Sequence, residues 1–484
     1  MCPRAHVIEM QPARAARREK IVRHQPRIAL SASLVALSLC VASHAYAGGI
    51  TVIYTEIVSH SSGIVPGAKD SLGNPVVTNW LALEDLAVRD NGAEWMVKGR
   101  TTQATTNDAI LVRGAARTGT AFAQDGQPLL GGAPGELYDF FDTPIPAAWN
   151  AQGDVAFGAR AKGGNNAVFE KVIKVSGGVH TIVAQMGDPV MGLSDLAPAP
   201  SGDELLGNSI NSIHLRNDGI VGYTVTPITN LHTSRYPAIV YGHTAFKQRG
   251  VTPIGGSVWD GFTLAGGFYT TPDNAHFFVL GDDAGPTATD RILVVDEVVV
   301  MREGSPVAGA GTPTMSDVFF TRMLTNGDWF ARGADPTGAD WAVRNGVLLA
   351  KTGDPIGGGE LWGDAFSSFI GDRNGNWLLV GNTSNPNPSL DTVMVYNGTT
   401  ILAREGDPID LDGNGLFDDN VFLASFQPND VFLTDDGLVY FLATLRNGAG
   451  TGLGDAFLRL PVPEPTTLAS VLLGAVLIRL RRRS

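Results

Sequence analysis

Short apolar runs separated by Asn, Asp and Gly form the main pattern between residues 50 and 460. The runs are rich in Val, Phe, Trp and Tyr, which favours β-strands bounded by turns. Several are apolar on successive residues, as at 277–279 and 440–442. Such runs indicate strands that are buried on both faces. The pattern therefore predicts stacked sheets rather than a sheet with one face in water.

One repeated unit is a turn with Asn, Asp or Gln, usually followed by Gly, directly before an apolar strand. It occurs seven times, at residues 90–92, 152–153, 217–219, 273–275, 326–327, 374–375 and 435–437. Counted from the Gly, or from Ala275 in the fourth copy, the turns are 48 to 66 residues apart, with a mean of about 57. A period of this length indicates one supersecondary unit per repeat.

A second unit, an apolar strand followed by Gly-x-Pro or a relative of it, alternates with the first. Its glycines are Gly126, Gly187, Gly304, Gly353 and Gly406, with degenerate copies at Gly63 and Gly250. About 57 residues are enough for four strands and their loops. We therefore predict an all-β fold, a seven-bladed β-propeller spanning residues 48–460. The alternatives are an open β-solenoid and two β-sandwich domains divided near residue 250.

The order of the two units also predicts how the ring closes. The repeat region begins with a unit of the second type, after the strand at 51–54, and ends with a unit of the first type and the strand at 456–460. One blade would then be assembled from both ends of the chain, which removes open sheet edges.

Composition and charge narrow the range of functions. The chain of 484 residues is 44% hydrophobic and 17% charged, with 59 Gly and 28 Pro, which excludes a disordered chain, a coiled coil and a multi-span membrane protein. The net charge is −13 overall, and it is −21 between residues 48 and 460 because both ends are basic. Such a centre repels nucleic acid and anionic lipid, whereas divalent cations remain candidate partners.

The N-terminal residues 1–47 predict a secretory signal peptide. An Arg-rich segment leads into the apolar run 28–41, and a small-x-small cleavage site follows, formed by Ala45 and Ala47. The alternative, a buried core helix, does not explain the flanking charge. Cys2 and Cys40 both lie in this segment, so the exported chain would contain no thiol and no disulfide.

The C-terminal residues 461–484 contain Pro463, Glu464 and Pro465, an apolar stretch at 468–480, and Arg481, Arg482 and Arg483. This order resembles the PEP-CTERM sorting tail of exported bacterial proteins. The resemblance implies transient membrane insertion through a C-terminal helix and processing by an exosortase-like enzyme near the Pro-Glu-Pro motif. It also implies a place in the cell envelope, on the outer surface or outside the cell, and association with exopolysaccharide. The alternative is an amphipathic C-terminal helix after a Pro-rich linker.

One segment has the spacing of a metal-binding loop. Oxygen side chains stand at alternate positions along it and a Gly follows the third of them, which suits a hard cation such as Ca²⁺. The segment resembles calcium loops of the EF-hand and dockerin type, and the predicted ligands are Asp410, Asp412, Asn414 and Asp418. Val421 stands at the twelfth position, where those loops carry a bidentate acidic residue. The alternative is a solvated Asp/Asn/Gly turn.

The sequence contains no His pair with zinc-hydrolase spacing, no Gly-x-Ser-x-Gly elbow and no phosphate loop, although two carboxylates that act as acid and base leave no local signature. Trp259, Trp341 and Trp362 could stack on sugars, but core packing is the expected role of most tryptophans. We predict an exported, non-catalytic repeat protein of the cell surface, the extracellular matrix or a biofilm. The alternative is a polysaccharide-active enzyme, a lyase or glycoside hydrolase, on a propeller scaffold.

Overall fold

A computed structural model describes residues 49–141, 147–164, 169–197 and 199–463. The strands form seven antiparallel blades, which confirms the predicted seven-bladed β-propeller. We number the blades 1 to 7 and call the first strand of each, in chain order, its inner strand. Within the described ranges, no helix combines the length and the apolarity that crossing a membrane requires.

Blade 1 contains Trp80–Val88, Trp95–Thr101, Ala109–Ala115 and Thr118–Gln124, and blade 2 contains Glu136–Phe140 with Ala147–Trp149, Val155–Gly163, Glu170–Ser176 and Val179–Gln185. Blade 3 contains Ile210–Leu215, Val221–Val225, Ala238–Tyr241 and Thr244–Gln248. Blade 4 contains Ser257–Phe262 with Phe268–Thr270, Phe277–Asp283, Arg291–Val295 and Val298–Arg302. Pro253–Ile254 extends blade 4, and Leu205–Leu206 pairs with Ile228–Thr229.

Blade 5 contains Asp317–Met323, Trp329–Ala334, Asp340–Arg344 and Val347–Lys351. Blade 6 contains Trp362–Gly371, Trp377–Thr383, Thr392–Tyr396 and Thr400–Arg404. Blade 7 contains Val421–Leu433, Leu438–Asn447, Gly452–Pro461 and Thr51–Thr55. Among the described residues, three short 3-10 turns lie between strands, at Ser61–Gly63, Thr233–Arg235 and Gly357–Gly359.

Blade 7 contains both ends of the ring, as the order of the repeats predicts. The N-terminal strand Thr51–Thr55 pairs antiparallel with the last strand, Gly452–Pro461, with Thr51 opposite Arg459 and Thr55 opposite Ala456. We call this N-terminal strand the clasp. It covers an edge of blade 7 that would otherwise have unpaired backbone groups.

The first repeated unit is the turn between the inner strand and the second strand of each blade. Six of these turns have a Gly with positive φ, from +70° at Gly92 to +97° at Gly375. In the fourth copy Asn274 takes this conformation, with φ of +59°, so the equivalent residue is Asn274 and not Ala275. Asn tolerates the left-handed region better than other residues with a side chain, which explains how this copy functions without Gly.

The second repeated unit follows the outer strand and leads into the next blade. Six of its glycines donate their backbone N–H to a carbonyl at or just before the next inner strand, as Gly126 does to Tyr138 and Gly406 to Leu423, at 2.9 Å in both. All six have positive φ. Gly63 lies instead in the 3-10 turn Ser61–Gly63 and lacks this conformation. The motif therefore ties one blade to the next.

The strands in the middle of the blades are buried on both faces, as the apolar runs predict. Every residue of Val221–Val225 and of Trp329–Ala334 is buried. These strands lie between neighbouring blades, so both faces pack against apolar side chains. Trp259, Trp341 and Trp362 are 0%, 0% and 3% exposed, which confirms core packing as their role.

Candidate functional site

The inner strands enclose a central channel of about 570 Å³. Its walls come mainly from the inner strands of blades 1 to 5 and of blade 7, and blade 4 adds Phe278, Leu280 and Arg291 from its second and third strands. Phe319, Gly266 and Asn429 line the cavity and are exposed, so we call their side of the ring the open end. The volume lies in the range of small-molecule sites.

The turns of the first repeated unit meet around the opposite end of the channel and are linked by hydrogen bonds. We call this set the turn girdle. Arg373 N of blade 6 donates to Asp435 Oδ1 of blade 7 at 2.9 Å, and Asp435 N donates to Asp90 O of blade 1 at 2.9 Å. Arg89 Nη2 of blade 1 donates to Asn150 O of blade 2 at 3.0 Å. Ala151 N of blade 2 donates to Asn217 Oδ1 of blade 3 at 3.0 Å, and Asn217 N donates to Pro272 O of blade 4 at 2.6 Å.

Blade 5 joins the turn girdle through a bond that crosses the channel. Thr325 N donates to Asp90 Oδ2 at 2.8 Å, although blades 1 and 5 are not neighbours in the ring. The girdle thus uses both backbone groups and polar side chains at the repeated turns to tie all seven blades together.

The inner strand of blade 7 carries a four-residue bulge that enters the channel. Phe426 lies opposite Ala443 and Val431 opposite Phe441, so residues 427–430 face the single residue Leu442. We call residues 427–430 the channel bulge. Bulges of this kind re-aim side chains and are common beside functional sites.

Neighbouring blades hold the channel bulge in place. Asn429, with φ of +69°, donates its N–H to Ser368 Oγ at 2.9 Å and accepts from Arg332 Nη2 at 3.1 Å. Leu86 N donates to Asp430 Oδ1 at 2.9 Å. The bulge is therefore held by blades 5, 6 and 1, and it places the Asp430 carboxyl in the channel wall.

Burial raises the pKa of Asp430 to about 7, and the negative charge of Asp85 on the inner strand of blade 1 adds to this rise. The Leu86 N–H and the Arg322 guanidinium oppose it. Asp85 itself lies 3.9 Å from the buried Lys98 ammonium, which also contacts Glu84 at 3.1 Å. Near neutral pH the Asp430 carboxyl can therefore both donate and accept a hydrogen bond.

Arg322 brings a cation to the same cavity from the inner strand of blade 5. Its guanidinium lies 4.2 Å from the centre of the Phe432 ring. Burial lowers the pKa of Arg322, while Asp90, Tyr269 and Asp430 oppose the shift. Among the described residues, no carboxylate lies within 4.0 Å of its nitrogens, so the guanidinium keeps donors for a ligand.

Tyr269 and His214 complete the wall on the side of blades 3 and 4, with ring centroids 4.7 Å apart. Burial raises the pKa of Tyr269, so its hydroxyl stays protonated. Burial lowers the pKa of His214 to about 3, and its Nε2 bonds with Phe268 O. His214 is therefore a neutral, structural member of the wall.

The predicted calcium loop lies away from the channel, before the inner strand of blade 7. Carboxylate oxygens of Asp410, Asp412 and Asp419 lie within 4.8 Å of one another, and Asp418 is not in that group. Asn414 donates through Nδ2 to Asp412 Oδ2 at 3.0 Å. Backbone N–H groups of the loop also bond Asp410 and Asp419, for example Gly415 N to Asp410 Oδ2 at 2.8 Å.

The residues predicted for sorting and cleavage lie almost entirely outside the described residues. These are Ala45, Ala47, Glu464, Pro465, Arg481, Arg482 and Arg483. Pro463 is the last described residue. Just before it, Val462 N donates to Gly437 O at 2.8 Å, so the chain leaves the ring beside the turn girdle.

No sequence motif marks the channel residues Asp85, Arg322 and Asp430. Each comes from a different blade, so no local spacing connects them. One signal was available: Pro428 stands inside the apolar segment that becomes the inner strand Val421–Leu433, and Pro within a strand marks a bulge or an edge.

Comparison with known proteins identifies no family for this chain. No protein-family model and no curated protein matches the chain. Trypanosoma rangeli sialidase in complex with the inhibitor DANA is similar over 88% of this chain and 61% of that chain, at 8% identity and a TM-score of 0.34. Chaetomium thermophilum Raptor is similar over 87% of this chain and 30% of that chain, at 10% identity and a TM-score of 0.37.

A third similar structure is prolyl oligopeptidase B from Galerina marginata bound to a 35-mer hydrolysis and macrocyclization substrate, at 11% identity and a TM-score of 0.31. The similarity covers 75% of this chain and 55% of that chain. This chain spans less than two thirds of each of these three proteins. Similarities at this level carry no information on activity, so function must be inferred from the side chains.

Proposed function

We propose that this chain is an exported, non-catalytic repeat protein of the cell surface, extracellular matrix or biofilm. The predicted signal peptide at 1–47 and the sorting tail at 461–484 support export and processing by an exosortase-like enzyme. Between them, the closed ring presents its loops rigidly. The resemblance of the tail also supports association of the ring with envelope polysaccharide.

The observation that carries the non-catalytic part of the proposal is the turn girdle. The most regular polar residues of the sequence are those of the repeated turns, and their groups bond one another between blades. Asp90 accepts from Thr325, and Asp435 accepts from Arg373 Nε at 2.7 Å. Groups already bonded to neighbouring blades support the ring and are poorly placed to act on a substrate.

Intact-mass measurement on protein from the native host tests export and sorting. We expect a chain that begins near Gly48 and lacks most residues after Pro465. A variant with Glu464→Ala and Pro465→Ala is the matched control and should retain its C-terminal residues. A mature wild-type chain that keeps residues 481–483 would refute the sorting proposal.

The second candidate function is cleavage of polysaccharide, and the Asp430 carboxyl is the observation that favours it. With its pKa raised to about 7, Asp430 can act as a proton donor, and Asp85 is a second carboxylate of the same cavity. Incubation with the host's exopolysaccharide should then release new chain ends, and Asp430→Asn should reduce the rate at least 100-fold. Absence of any release by the wild type supports the non-catalytic proposal.

We also propose that the loop at 410–419 binds Ca²⁺. Asp410, Asp412 and Asn414 are the predicted early ligands, and proximity favours Asp419 over Asp418 as the later carboxylate. The aliphatic Val421 begins the inner strand of blade 7 and cannot ligate. A site without the bidentate twelfth residue should be weak, in the range of extracellular modules.

A further inference from the structure

Acidic and basic side chains line the central channel in equal number. Three Asp and three Arg side chains belong to its wall: Asp85, Asp90, Asp430, Arg89, Arg291 and Arg322. A cavity with this balance has no strong preference for an anion or a cation. The only described carboxylate cluster with metal-binding proximity lies elsewhere, at Asp410, Asp412 and Asp419. The ligand that fits best is therefore neutral.

Two of the polar groups in the wall are available to such a ligand. Arg89 and Arg291 have protein partners, such as Asn150 O for Arg89 at 3.0 Å and Asp282 Oδ1 for Arg291 at 3.2 Å. Arg322 has no carboxylate within ion-pairing distance among the described residues, and Asp430 uses Oδ1 for the Leu86 N–H. No described donor bonds Asp430 Oδ2. One strong donor group and one carboxyl oxygen thus remain in the same cavity.

Aromatic side chains supply the rest of the wall. Phe319, on the inner strand of blade 5, is 51% exposed at the open end. It is the extra residue of a bulge, because Val318 lies opposite Gly333 and Phe320 opposite Arg332. A large apolar ring that a bulge turns toward the cavity mouth offers a flat surface to a ligand.

We propose that the central channel binds a neutral sugar residue, with its hydroxyl groups between the Asp430 carboxyl and the Arg322 guanidinium and its C–H face on the aromatic rings near the open end. A sugar hydroxyl both donates and accepts, so one hydroxyl group can serve the carboxyl and a neighbouring one the guanidinium. The C–H face of the ring buries apolar surface against Phe319. The channel bulge holds Asp430 in position before the ligand arrives, which lowers the entropy cost of binding.

This inference deepens the proposed association with polysaccharide and rests on it for the source of the sugar. Calorimetric titration of the purified full chain with cellobiose, maltose or lactose tests it, with glucuronate as the anionic comparison. We expect saturable binding of at least one neutral disaccharide. Arg322→Gln and Phe319→Ala should each weaken that binding at least 5-fold. Asp203→Ala, which removes an exposed carboxylate outside the channel wall, should leave binding unchanged.

Asp430→Ala could disturb folding, so Asp430→Asn is measured beside it because Asn keeps an acceptor for the Leu86 N–H. We expect Asp430→Asn to weaken binding several-fold with an unchanged circular dichroism spectrum. Equal binding by the wild type, Arg322→Gln and Phe319→Ala would overturn the inference. The absence of binding of every neutral sugar at about 10 mM, or tighter binding of glucuronate than of the neutral disaccharides, would also overturn it. A correctly processed chain that binds no sugar refutes this site alone, whereas an unprocessed chain that binds sugar refutes only the sorting proposal.

Discussion

Removing the Tyr54 ring should open the joint at which the propeller closes. Tyr54 lies on the clasp and is 7% exposed. Its ring centroid is 5.6 Å from that of Trp80 and 5.8 Å from that of Trp95, both in blade 1, and 6.3 Å from that of Phe457 in blade 7. One side chain thus joins the first blade to the last, and Tyr54→Ala removes its contacts to both.

The expected loss follows from burial and from the size of the ring. Truncation of a buried aromatic residue to Ala costs about 3–5 kcal/mol. From the average unfolding entropy per residue, a ring of roughly 410 residues that unfolds as one unit has a total unfolding entropy of roughly 0.9 kcal/mol/K. Differential scanning calorimetry should therefore show a fall in Tm of about 3–6 °C.

Two further variants identify the cause of the loss. Tyr54→Phe keeps the ring and removes only the hydroxyl, which bonds the Gly119 backbone, so it should cost about 1 kcal/mol or less. Deletion of residues 48–64 removes the clasp altogether and should promote aggregation through the uncovered edge of blade 7. An unchanged Tm in Tyr54→Ala, or a monomeric elution profile after the deletion, would contradict closure through this strand.

Three other predictions concern the calcium loop, the channel and the repeated turns. Millimolar Ca²⁺ should stabilise the wild type by roughly 0.4–1.4 kcal/mol in thermal melts, and a variant with Asp410→Ala and Asp412→Ala should lose this response. Equal responses of the wild type and the variant would show that the loop is a turn that binds no Ca²⁺. Because the pKa of Asp430 is raised to about 7, the folded chain holds a proton that the unfolded chain releases near pH 4, so this group's contribution to stability falls as pH rises between these values. We therefore expect the free energy of unfolding of Asp430→Asn, minus that of the wild type, to be about 2–3 kcal/mol higher at pH 8 than at pH 5 in urea titrations. A difference that does not change with pH would refute the raised pKa. Gly375→Ala should lower the free energy of unfolding by about 1–2 kcal/mol because the φ of Gly375 is +97°. Asn274→Gly should not lower it, because Gly adopts positive φ without strain. Equal melting curves for Gly375→Ala and the wild type would contradict the turn geometry.

The sequence predicts the ring because its repeats report local backbone requirements. A turn that needs positive φ selects Gly or Asn, as at Gly92 and Asn274, and this need recurs once in every blade. The tie between blades selects Gly in the same way, as at Gly126 and Gly406. Both signals are local, so they are visible without knowledge of which strands pair.

The channel site depends on contacts between distant segments. Asp85, Arg322 and Asp430 share one cavity only because blades 1, 5 and 7 surround the same axis. The four residues of the channel bulge fall within an apolar segment that otherwise reads as one strand, and Pro428 alone marks the interruption. The position of Asp430 is set by Leu86, Ser368 and Arg332, which periodicity does not connect to it.

Ring closure also explains how the channel bulge can persist. The bulge costs ladder hydrogen bonds and holds Asn429 at a positive φ, so an isolated blade would gain by straightening it. It is held instead from outside, by blades 5, 6 and 1. The contact with blade 1 is the Leu86 N–H bond to Asp430, and it crosses the joint that the clasp and Tyr54 close. Tyr54 of the clasp packs on Trp80, which lies on the same inner strand as the Leu86 that bonds Asp430, so stability and binding should respond together to changes at this joint.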